Sequence, residues 1–418
     1  MFRKLWSSVG SITMPGLAIA TSGGYIFYVD RNRYPRMINT FSQGNILSPM
    51  DDSMFEVAYQ PRNELEERVK SILSPTFSND YYLIKGEVGT GKTRLVTKLC
   101  RELMDERGKE HLGAPVYVLA SQGTSFSETL ADAVDFHFDE HINFVYFASS
   151  ILQIKALPSK KDDHLKLSRV LEAIEIAACG YVKKYGRPIV LVIDNINFLC
   201  EHHVSSIERL QEKAKLWSDA NIAKVIFISN NEDAEAVLKK THSNWSRADS
   251  PVVIEDLSHD ETIAFLKLHL FPNEESSDSS IKKSDFEKIY QAVGGRIQCL
   301  VMFKRDAVEN IPVDVTIERL ILKEGEKFLE ISKTVSCMQA IEALYLAPEK
   351  SLRTKDFLKY CSIEDLEKLQ QQNVVRLAKK PQGLVVTFES KLTETVVKEF
   401  TEKGNPWRPD DKSTITKL

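Results

Sequence analysis

Eight consecutive residues match the phosphate-binding pattern G-x-x-x-x-G-K-S/T at every fixed position: Gly86, Glu87, Val88, Gly89, Thr90, Gly91, Lys92 and Thr93. The glycines permit the backbone dihedral angles that turn successive N–H groups inward around a phosphate. The Lys92 ammonium suits the β- and γ-phosphate oxygens, and the Thr93 hydroxyl is a ligand for Mg²⁺. The segment therefore predicts a binding site for a nucleotide with Mg²⁺, and we expect ATP because no guanine-reading motif is visible.

A second part of such a site is an acidic residue that holds the metal ion. The run Ile189–Asp194 is apolar up to Asp194, and it predicts a buried strand that presents this carboxylate beside Thr93. A cap of the following turn is the alternative role for Asp194. Many ATPases place a glutamate directly after this aspartate, where it activates the attacking water. Asn195 occupies that position and cannot accept a proton, and the next acid is Glu201. Binding is therefore better supported than ATP hydrolysis, which stays open.

Polar residues also follow the apolar run Lys224–Ser229. Ser229 or Asn230 could orient the attacking water if this strand lies beside the phosphate loop, and a plain Ser-Asn-Asn turn is the alternative. A polar side chain at that strand end would also contact the γ-phosphate. We therefore keep both residues as candidates for a catalytic role.

A parallel α/β sheet is needed to bring these residues to one edge. Five β-rich runs alternate with longer helical patterns, which is typical of strands buried between helices. Further helices follow, and then two β-rich runs around a Pro/Gly turn indicate a winged helix. The predicted sheet strands are Tyr81–Lys85, Pro115–Ala120, Ile189–Asp194, Lys224–Ser229 and Pro251–Ile254, and the predicted hairpin strands are Val374–Leu377 and Leu384–Phe388.

The predicted fold class is therefore α/β, with a five-stranded P-loop NTPase core, a small helical lid and a winged-helix domain. We place the core at residues 46–257, the lid at 258–327 and the winged helix at 328–402. Residues 1–45 form a targeting or membrane-anchor segment in this division, and residues 403–418 form a flexible tail.

Composition sets limits on the class of protein. The 418 residues are 43% hydrophobic and 27% charged with a net charge of -4, which excludes a largely disordered chain and a polytopic membrane protein. This charge also argues against nucleic-acid affinity of the whole surface. The six cysteines are scattered without a Cys-x-x-Cys pair, so we expect reduced thiols rather than zinc or disulfide chemistry.

The N-terminal region differs from the rest of the chain. Val9–Val29 contains no charged residue and is long enough to span a bilayer as a helix, although Pro15 and several small residues weaken its hydrophobicity. Arg3 and Lys4 precede it, and the scarcity of acidic residues in the N-terminal region also suits a mitochondrial targeting sequence. A single-pass membrane anchor, a cleaved presequence and a flexible arm are the alternatives. We expect a mitochondrial protein of the inner membrane or matrix, with the cytoplasm as the fallback.

With these motifs in place, the sequence from Tyr59 to Phe400 resembles the AAA+ and STAND branch of P-loop ATPases, especially the archaeal-type ATPases and the origin-recognition group. The resemblance implies a helix at Arg62 that lies beside the adenine. It also implies that Arg247 acts on the γ-phosphate of a neighbouring copy and that Arg296 is the sensor arginine of the lid. Asn195 departs from the family pattern and puts hydrolysis in doubt.

Three functions remain open on these grounds. The favoured one is a membrane-tethered, ATP-dependent conformational switch or remodelling factor with an unknown protein client and a capacity to self-associate. A nucleic-acid-binding initiator that uses Lys379 and Lys380 of the wing is less favoured, because the charge of this region is only mildly basic. The third is a nucleotide-bound scaffold without catalysis. The H-x-x-E-H sequence His137–His141 is interpreted as surface histidines rather than a zinc site.

Overall fold

The computed structural model describes the chain in ten segments: residues 32–47, 59–107, 114–122, 125–138, 160–230, 233–240, 242–270, 285–331, 333–381 and 383–403. They divide into two compact units. The first unit contains residues 32–47, 62–86 and the described residues between 92 and 253. The second contains residues 59–61, 87–91 and the described residues from 254 onward.

A parallel sheet forms the centre of the first unit. Its strands lie side by side in the order β1-β3-β4-β5-β2-β6, and every pairing is parallel. Each residue of β4 and β5 is buried, as expected for strands covered on both faces. The strands are β1 (Asn45–Leu47), β2 (Tyr82–Lys85), β3 (Val116–Leu119), β4 (Ile189–Asp194), β5 (Ala223–Ser229) and β6 (Val252–Val253).

The five predicted strands are all present, and β1 adds a sixth that the sequence analysis did not predict. Gly44 permits the close approach of this strand to β3, because its φ is +80° and an added Cβ would lie 2.6 Å from the Cβ of Ala114. Asn45 then donates through Nδ2 to the carbonyl of Ala133 at 2.8 Å. A strand of three residues is too short to show an alternating pattern in the sequence, which is why β1 was not predicted.

Helices pack around this sheet and bury a core that contains Trp217, Tyr181 and Phe227. Apolar residues at helical spacing predicted most of them. They are α1 (residues 32–43), α2 (Asn63–Leu73), α3 (Lys92–Arg107), α4 (Phe126–Ala133), α5 (Lys160–Tyr185), α6 (Ile196–His202), α7 (Val204–Asp219), α8 (Asp233–Lys240) and α9 (His242–Trp245).

The second unit contains two hydrophobic clusters. Four helices share the first, which is built around Phe265, Leu300 and Phe303. These helices are α10 (His259–Leu270), α11 (Asp285–Val293), α12 (Ile297–Val308) and α13 (Val313–Gly325). They correspond to the predicted lid helices, and their domain boundaries stay predictions.

The second cluster is built by short helices and a small antiparallel sheet, which is the winged-helix arrangement. The sheet has the order β7-β9-β8, and β8 extends to Lys380, so the hairpin turn is shorter than predicted. The elements are α14 (Phe328–Ile331), α15 (Val335–Leu346), β7 (Ser351–Arg353), α16 (Thr354–Phe357), α17 (Ile363–Gln371), β8 (Val375–Lys380), β9 (Gly383–Phe388) and α18 (Lys391–Lys403).

Several predicted features lie outside the described residues. They include the apolar run Val9–Val29, the pair Glu140 and His141, and the C-terminal tail beyond Lys403. Within the described segments, no helix has both the length and the apolar character needed to cross a membrane. All six cysteines are free, and Cys100, Cys200, Cys337 and Cys361 are buried.

Helix α7 offers a matched test of this packing, because Leu210 is 2% exposed and Leu216 is 48% exposed. We expect Leu210→Ala to lower the free energy of unfolding by about 2–5 kcal/mol, since it opens a cavity in the core. Leu216→Ala should cost less than about 1 kcal/mol. Chemical denaturation of both variants checks this, and equal losses would contradict the packing of α7.

Candidate functional site

The glycine-rich segment forms a loop between the end of β2 and the start of α3. Gly89 and Gly91 have φ of +85° and +91°, a region that glycine adopts without steric cost. The carbonyl of Glu87 accepts a hydrogen bond from the Thr90 hydroxyl at 3.0 Å, which closes the turn. Lys92 begins α3 and is 3% exposed. The first turn of α3 contains no acidic residue, so its positive end is available to an anion.

The carboxylate of Asp194 lies at the end of β4 and accepts three hydrogen bonds. The Thr93 hydroxyl donates to Oδ2 at 2.7 Å, the Tyr117 hydroxyl donates to the same oxygen, and the Asn195 backbone N–H donates to Oδ1 at 2.6 Å. Asp194 is 1% exposed. The structure therefore brings together the two residues that the sequence predicted as metal ligands, although they are 101 residues apart.

Tyr117 was not predicted as a site residue. It lies on β3 next to β4, in register with Val192, and its ring is fully buried. Burial and the nearby charge of Asp194 raise the pKa of Tyr117, so its hydroxyl stays protonated and donates to the carboxylate. The signal in the sequence was one tyrosine in the apolar run VYVL, which needs a hydrogen-bond partner when buried.

The pair Thr93 and Asp194 suits Mg²⁺. Both offer hard oxygen ligands, and their oxygens lie 2.7 Å apart, so one ion would contact both. Among the described residues, no group of three His, Cys, Asp or Glu side chains forms a metal cage. Mg²⁺ commonly binds one or two protein ligands and completes its coordination with water and phosphate oxygens. The donor set therefore fits a magnesium ion that arrives with a nucleotide.

Asn195 is committed to hydrogen bonds within the protein. It adopts a left-handed conformation with φ of 62° and precedes α6. Its Nδ2 donates to the carbonyl of Ala120 at 2.7 Å, and its Oδ1 accepts from Asn230 Nδ2 at 3.3 Å. Asn197 Oδ1 also accepts from the Asn230 backbone N–H at 3.3 Å. The position of the expected catalytic base is thus part of an asparagine network.

Strand β5 lies directly between β2 and β4, which confirms that it runs beside the phosphate-loop strand. Ser229 pairs in register with Lys85 and is fully buried within the strand. Asn230 is half-buried at the strand end, where it contacts Asn195. Both candidates for orienting water therefore lie at the carboxyl end of β5, and Asn230 is the one that contacts Asn195. Glu201, the next acidic residue after Asn195, is exposed near the end of α6. The carboxylate nearest to Asn195 in the sequence is that of the preceding residue, Asp194.

Arg62 immediately precedes α2, and its backbone N–H donates to Glu66 Oε1 at 2.9 Å. Glu66 also accepts from Lys98 of α3 at 3.1 Å. The predicted adenine-side helix is therefore fixed to the helix that follows the phosphate loop. This contact places α2 beside the site within the first unit.

Arg247 lies near the amino end of β2, whereas the phosphate loop follows the carboxyl end of that strand. Its carbonyl accepts from the N–H of Tyr81, which precedes β2, and its Nε is 2.8 Å from Asp219 Oδ1. Its side chain is 45% exposed. The structure therefore does not bring Arg247 to the phosphate loop of its own chain, and its action on a neighbouring copy stays a prediction.

Arg296 belongs to the second unit together with the tip of the phosphate loop. It is 7% exposed and binds both carboxylate oxygens of Asp256, with Nε at 2.6 Å and Nη2 at 3.1 Å. Its Nη1 donates to the carbonyl of Val88 at 2.7 Å, and its Nη2 donates to the carbonyl of Glu389 at 3.0 Å. This arginine precedes α12 as predicted, and its guanidinium contacts these partners, which include a carbonyl of the phosphate loop, while its role as a sensor of the nucleotide stays a prediction.

Solved structures of two archaeal proteins share this fold. A Walker-type ATPase of Pyrococcus abyssi matches with a TM-score of 0.53 and 15% identity, over 81% of this chain and 96% of that chain. The ADP form of the Aeropyrum pernix ORC2 protein matches with a TM-score of 0.50 and 13% identity, over 84% of this chain and 98% of that chain. No protein-family model and no curated protein matches the sequence. The expected resemblance to the archaeal-type ATPases and the origin-recognition group is confirmed for the fold: a P-loop ATPase core with a winged helix.

Proposed function

We propose that the protein binds ATP with Mg²⁺ and acts as a nucleotide-dependent conformational switch or remodelling factor of the AAA+ type. The observation that carries this proposal is the contact of Thr93 with Asp194 beside a complete phosphate loop. The buried Lys92 and the N-terminus of α3 supply positive charge to the same loop. The comparison with an ATPase and with an ADP-bound ORC2 protein supports a nucleotide as the ligand.

Each residue of the site has a separate part in binding. The loop N–H groups and Lys92 would hold the phosphates, and Thr93 with Asp194 would hold Mg²⁺, which supplies charge neutralisation for the phosphate oxygens. Tyr117 keeps the Asp194 carboxylate oriented through its hydrogen bond. Because the loop tip lies in the second unit with Arg296, a change in loop shape is transmitted to the lid and winged helix. This arrangement suits a switch.

Slow hydrolysis of the bound ATP is part of the proposed function. A side chain that activates water must accept a proton, and the amides of Asn195, Asn197 and Asn230 cannot do so. These three side chains also bond to one another or to the backbone, which holds them in place. We therefore propose that bound ATP persists and that the nucleotide sets the conformation.

Nucleic-acid binding is the alternative, and two observations disfavour it. Helix α17, directly before the hairpin, contains Glu364, Asp365 and Glu367 against a single Lys368. In DNA-binding helix-turn-helix proteins the corresponding helix enters the major groove, where acidic side chains are repelled by phosphate. In the wing, Lys380 Nζ is 3.1 Å from Glu349 Oε2, so its charge is partly neutralised. A protein client is the better match for this surface, and self-association through Arg247 stays part of the proposal.

ATP binding is tested with Lys92→Ala in the full chain, by equilibrium titration with a fluorescent ATP analogue and Mg²⁺. Loss of a charge-assisted contact worth about 1.5–3 kcal/mol predicts an affinity weaker by about 10- to 150-fold. Lys240→Ala, which removes an exposed lysine of α8, is the matched control and should bind like the wild type. Absence of measurable binding by the wild type would end the proposal.

Hydrolysis is tested by placing a carboxylate at position 195. We expect wild-type turnover about 100-fold below the usual value of about 10 s⁻¹, because a general base is missing. Asn195→Asp keeps a residue type that tolerates the left-handed conformation and should raise turnover by about 100-fold. Asn195→Ala breaks the same network without adding a base and should not. Brisk hydrolysis by the wild type would contradict this account.

We also propose attachment to a mitochondrial membrane through the N-terminal segment. The support is the uncharged run Val9–Val29 with basic residues on both sides. Residues 1–45 fused to a fluorescent protein should be found at mitochondria and should resist extraction by carbonate. A diffuse cytosolic signal would contradict both attachment and targeting, and a soluble matrix signal would favour a cleaved presequence.

A further inference from the structure

The start of the lid helix α12 packs against the phosphate loop within the second unit. The Gln298 backbone N–H donates to the carbonyl of Gly89 at 3.1 Å, and Arg296 Nη1 donates to the carbonyl of Val88 at 2.7 Å. A Cβ added at Gly89 would lie 2.6 Å from Gln298 Oε1 and 3.2 Å from Arg296 Cδ, so the absence of a side chain permits this approach. The lid therefore binds two consecutive carbonyls of the loop.

The peptide group between Val88 and Gly89 joins the lid to the nucleotide site. Because a trans peptide is planar, its C=O and its N–H point in opposite directions. Arg296 holds the Val88 carbonyl on one side, so the Gly89 N–H is directed to the other side. Among the residues that the structure describes, this N–H donates to no acceptor. In a loop of this type, backbone N–H groups bind the α- and β-phosphate oxygens.

Arg296 is itself fixed by acceptors outside the loop. Its guanidinium donates to both carboxylate oxygens of Asp256, at 2.6 and 3.1 Å, and to the carbonyl of Glu389 at 3.0 Å. With the bond to Val88, four of the five N–H groups of this side chain form hydrogen bonds. The guanidinium is therefore preorganised to hold the loop carbonyl, and its positive charge strengthens that bond.

We propose that Arg296 is a positioning residue that acts through the Val88–Gly89 peptide, so that the lid and the winged helix respond to the diphosphate shared by ATP and ADP. This inference rests on the proposed function. A sensor arginine that contacts the γ-phosphate would instead distinguish ATP from ADP. That distinction then falls to residues at the carboxyl ends of β4 and β5, such as Asn230.

Polarisation of the shared peptide group explains the coupling. A phosphate oxygen at the Gly89 N–H and a guanidinium at the Val88 carbonyl polarise this group in the same sense, so each contact strengthens the other. Binding of the diphosphate therefore tightens the contact between the lid and the loop, and by linkage this contact raises the affinity for the diphosphate. Because Arg296 also donates to Glu389, the residue after β9, the winged helix takes part in the response.

The first test compares affinities for ADP and for the non-hydrolysable analogue β,γ-imido-ATP, each with Mg²⁺, using the full chain. Arg296→Met should weaken both affinities by about tenfold, since it removes a hydrogen bond that orients the loop. The ratio of the two affinities should keep its wild-type value. Arg305→Met is the matched control, because Arg305 lies on the same helix with its side chain 64% exposed, and it should bind both nucleotides like the wild type.

Asp256→Asn is a second variant, which carries the test if Arg296→Met does not fold. It weakens the orientation of Arg296 without removing a group that contacts the loop. Both affinities should fall by a smaller common factor of about threefold. In the Arg296→Met background the same change should have no further effect on affinity, because Asp256 acts through Arg296.

Amide hydrogen exchange measures the response of the lid directly. The Gln298 N–H donates to Gly89 when the lid contacts the loop, so its exchange rate reports this contact. ADP and β,γ-imido-ATP should slow this exchange equally in the wild type and less in Arg296→Met. A loss of overall stability would speed exchange throughout the core, whereas a loss of positioning is confined to the start of α12.

The outcomes separate this inference from the proposed function. A variant that loses affinity for β,γ-imido-ATP alone, or wild-type protection of Gln298 by β,γ-imido-ATP alone, would show that Arg296 senses the γ-phosphate and would overturn the inference. Unchanged affinities in Arg296→Met would overturn it as well. In these cases the wild type still binds nucleotide and the proposed function stands. If the wild type binds neither nucleotide, the proposed function itself fails, and the positioning role fails with it.

Discussion

The site depends on one buried carboxylate. Asp194 ends the apolar strand β4 and is only 1% exposed to solvent. Its carboxylate accepts hydrogen bonds from Thr93, Tyr117 and the Asn195 backbone, which replace the hydrogen bonds to water that burial removes. A buried charge without such partners would cost several kcal/mol. These donors come from α3, from β3 and from the residue that follows β4, so the packing of these elements places all three around one carboxylate. The same carboxylate that is stabilised by the fold is also aimed at the position where a magnesium ion would sit.

The contrast between Asp194 and Asn195 separates binding from turnover. One residue offers a negative charge to the phosphate loop, and the next offers only an amide that is bonded to Ala120 and Asn230. In the proposed function, the missing glutamate slows hydrolysis, so ATP stays bound longer than in an ATPase with a glutamate at that position. Long residence suits a switch, because the conformation then follows the identity of the bound nucleotide rather than the rate of its hydrolysis.

Sequence patterns predicted the main elements because the core strands are uniformly apolar and the lid helices have a regular helical period. The phosphate loop and Asp194 were predicted for a different reason, because their chemistry requires fixed residue types at fixed positions. Strand β1 was missed, since three residues carry no period. Tyr117 was missed because its role arises from a contact with a residue 77 positions away. The position of Arg296 before a lid helix was predicted correctly. Its partners, Asp256 and Val88, are distant in the sequence and are identified only by the structure.

The strand order of the first unit has a consequence for synthesis of the protein. Strands β2 and β4 are separated in the sheet by β5, which is the last of the three to be made. A nascent chain that ends before residue 223 lacks the strand that sets the spacing between Thr93 and Asp194. In the proposed function, nucleotide capture therefore waits until β5 has been synthesised, and a nucleotide would stabilise only chains that have passed that point.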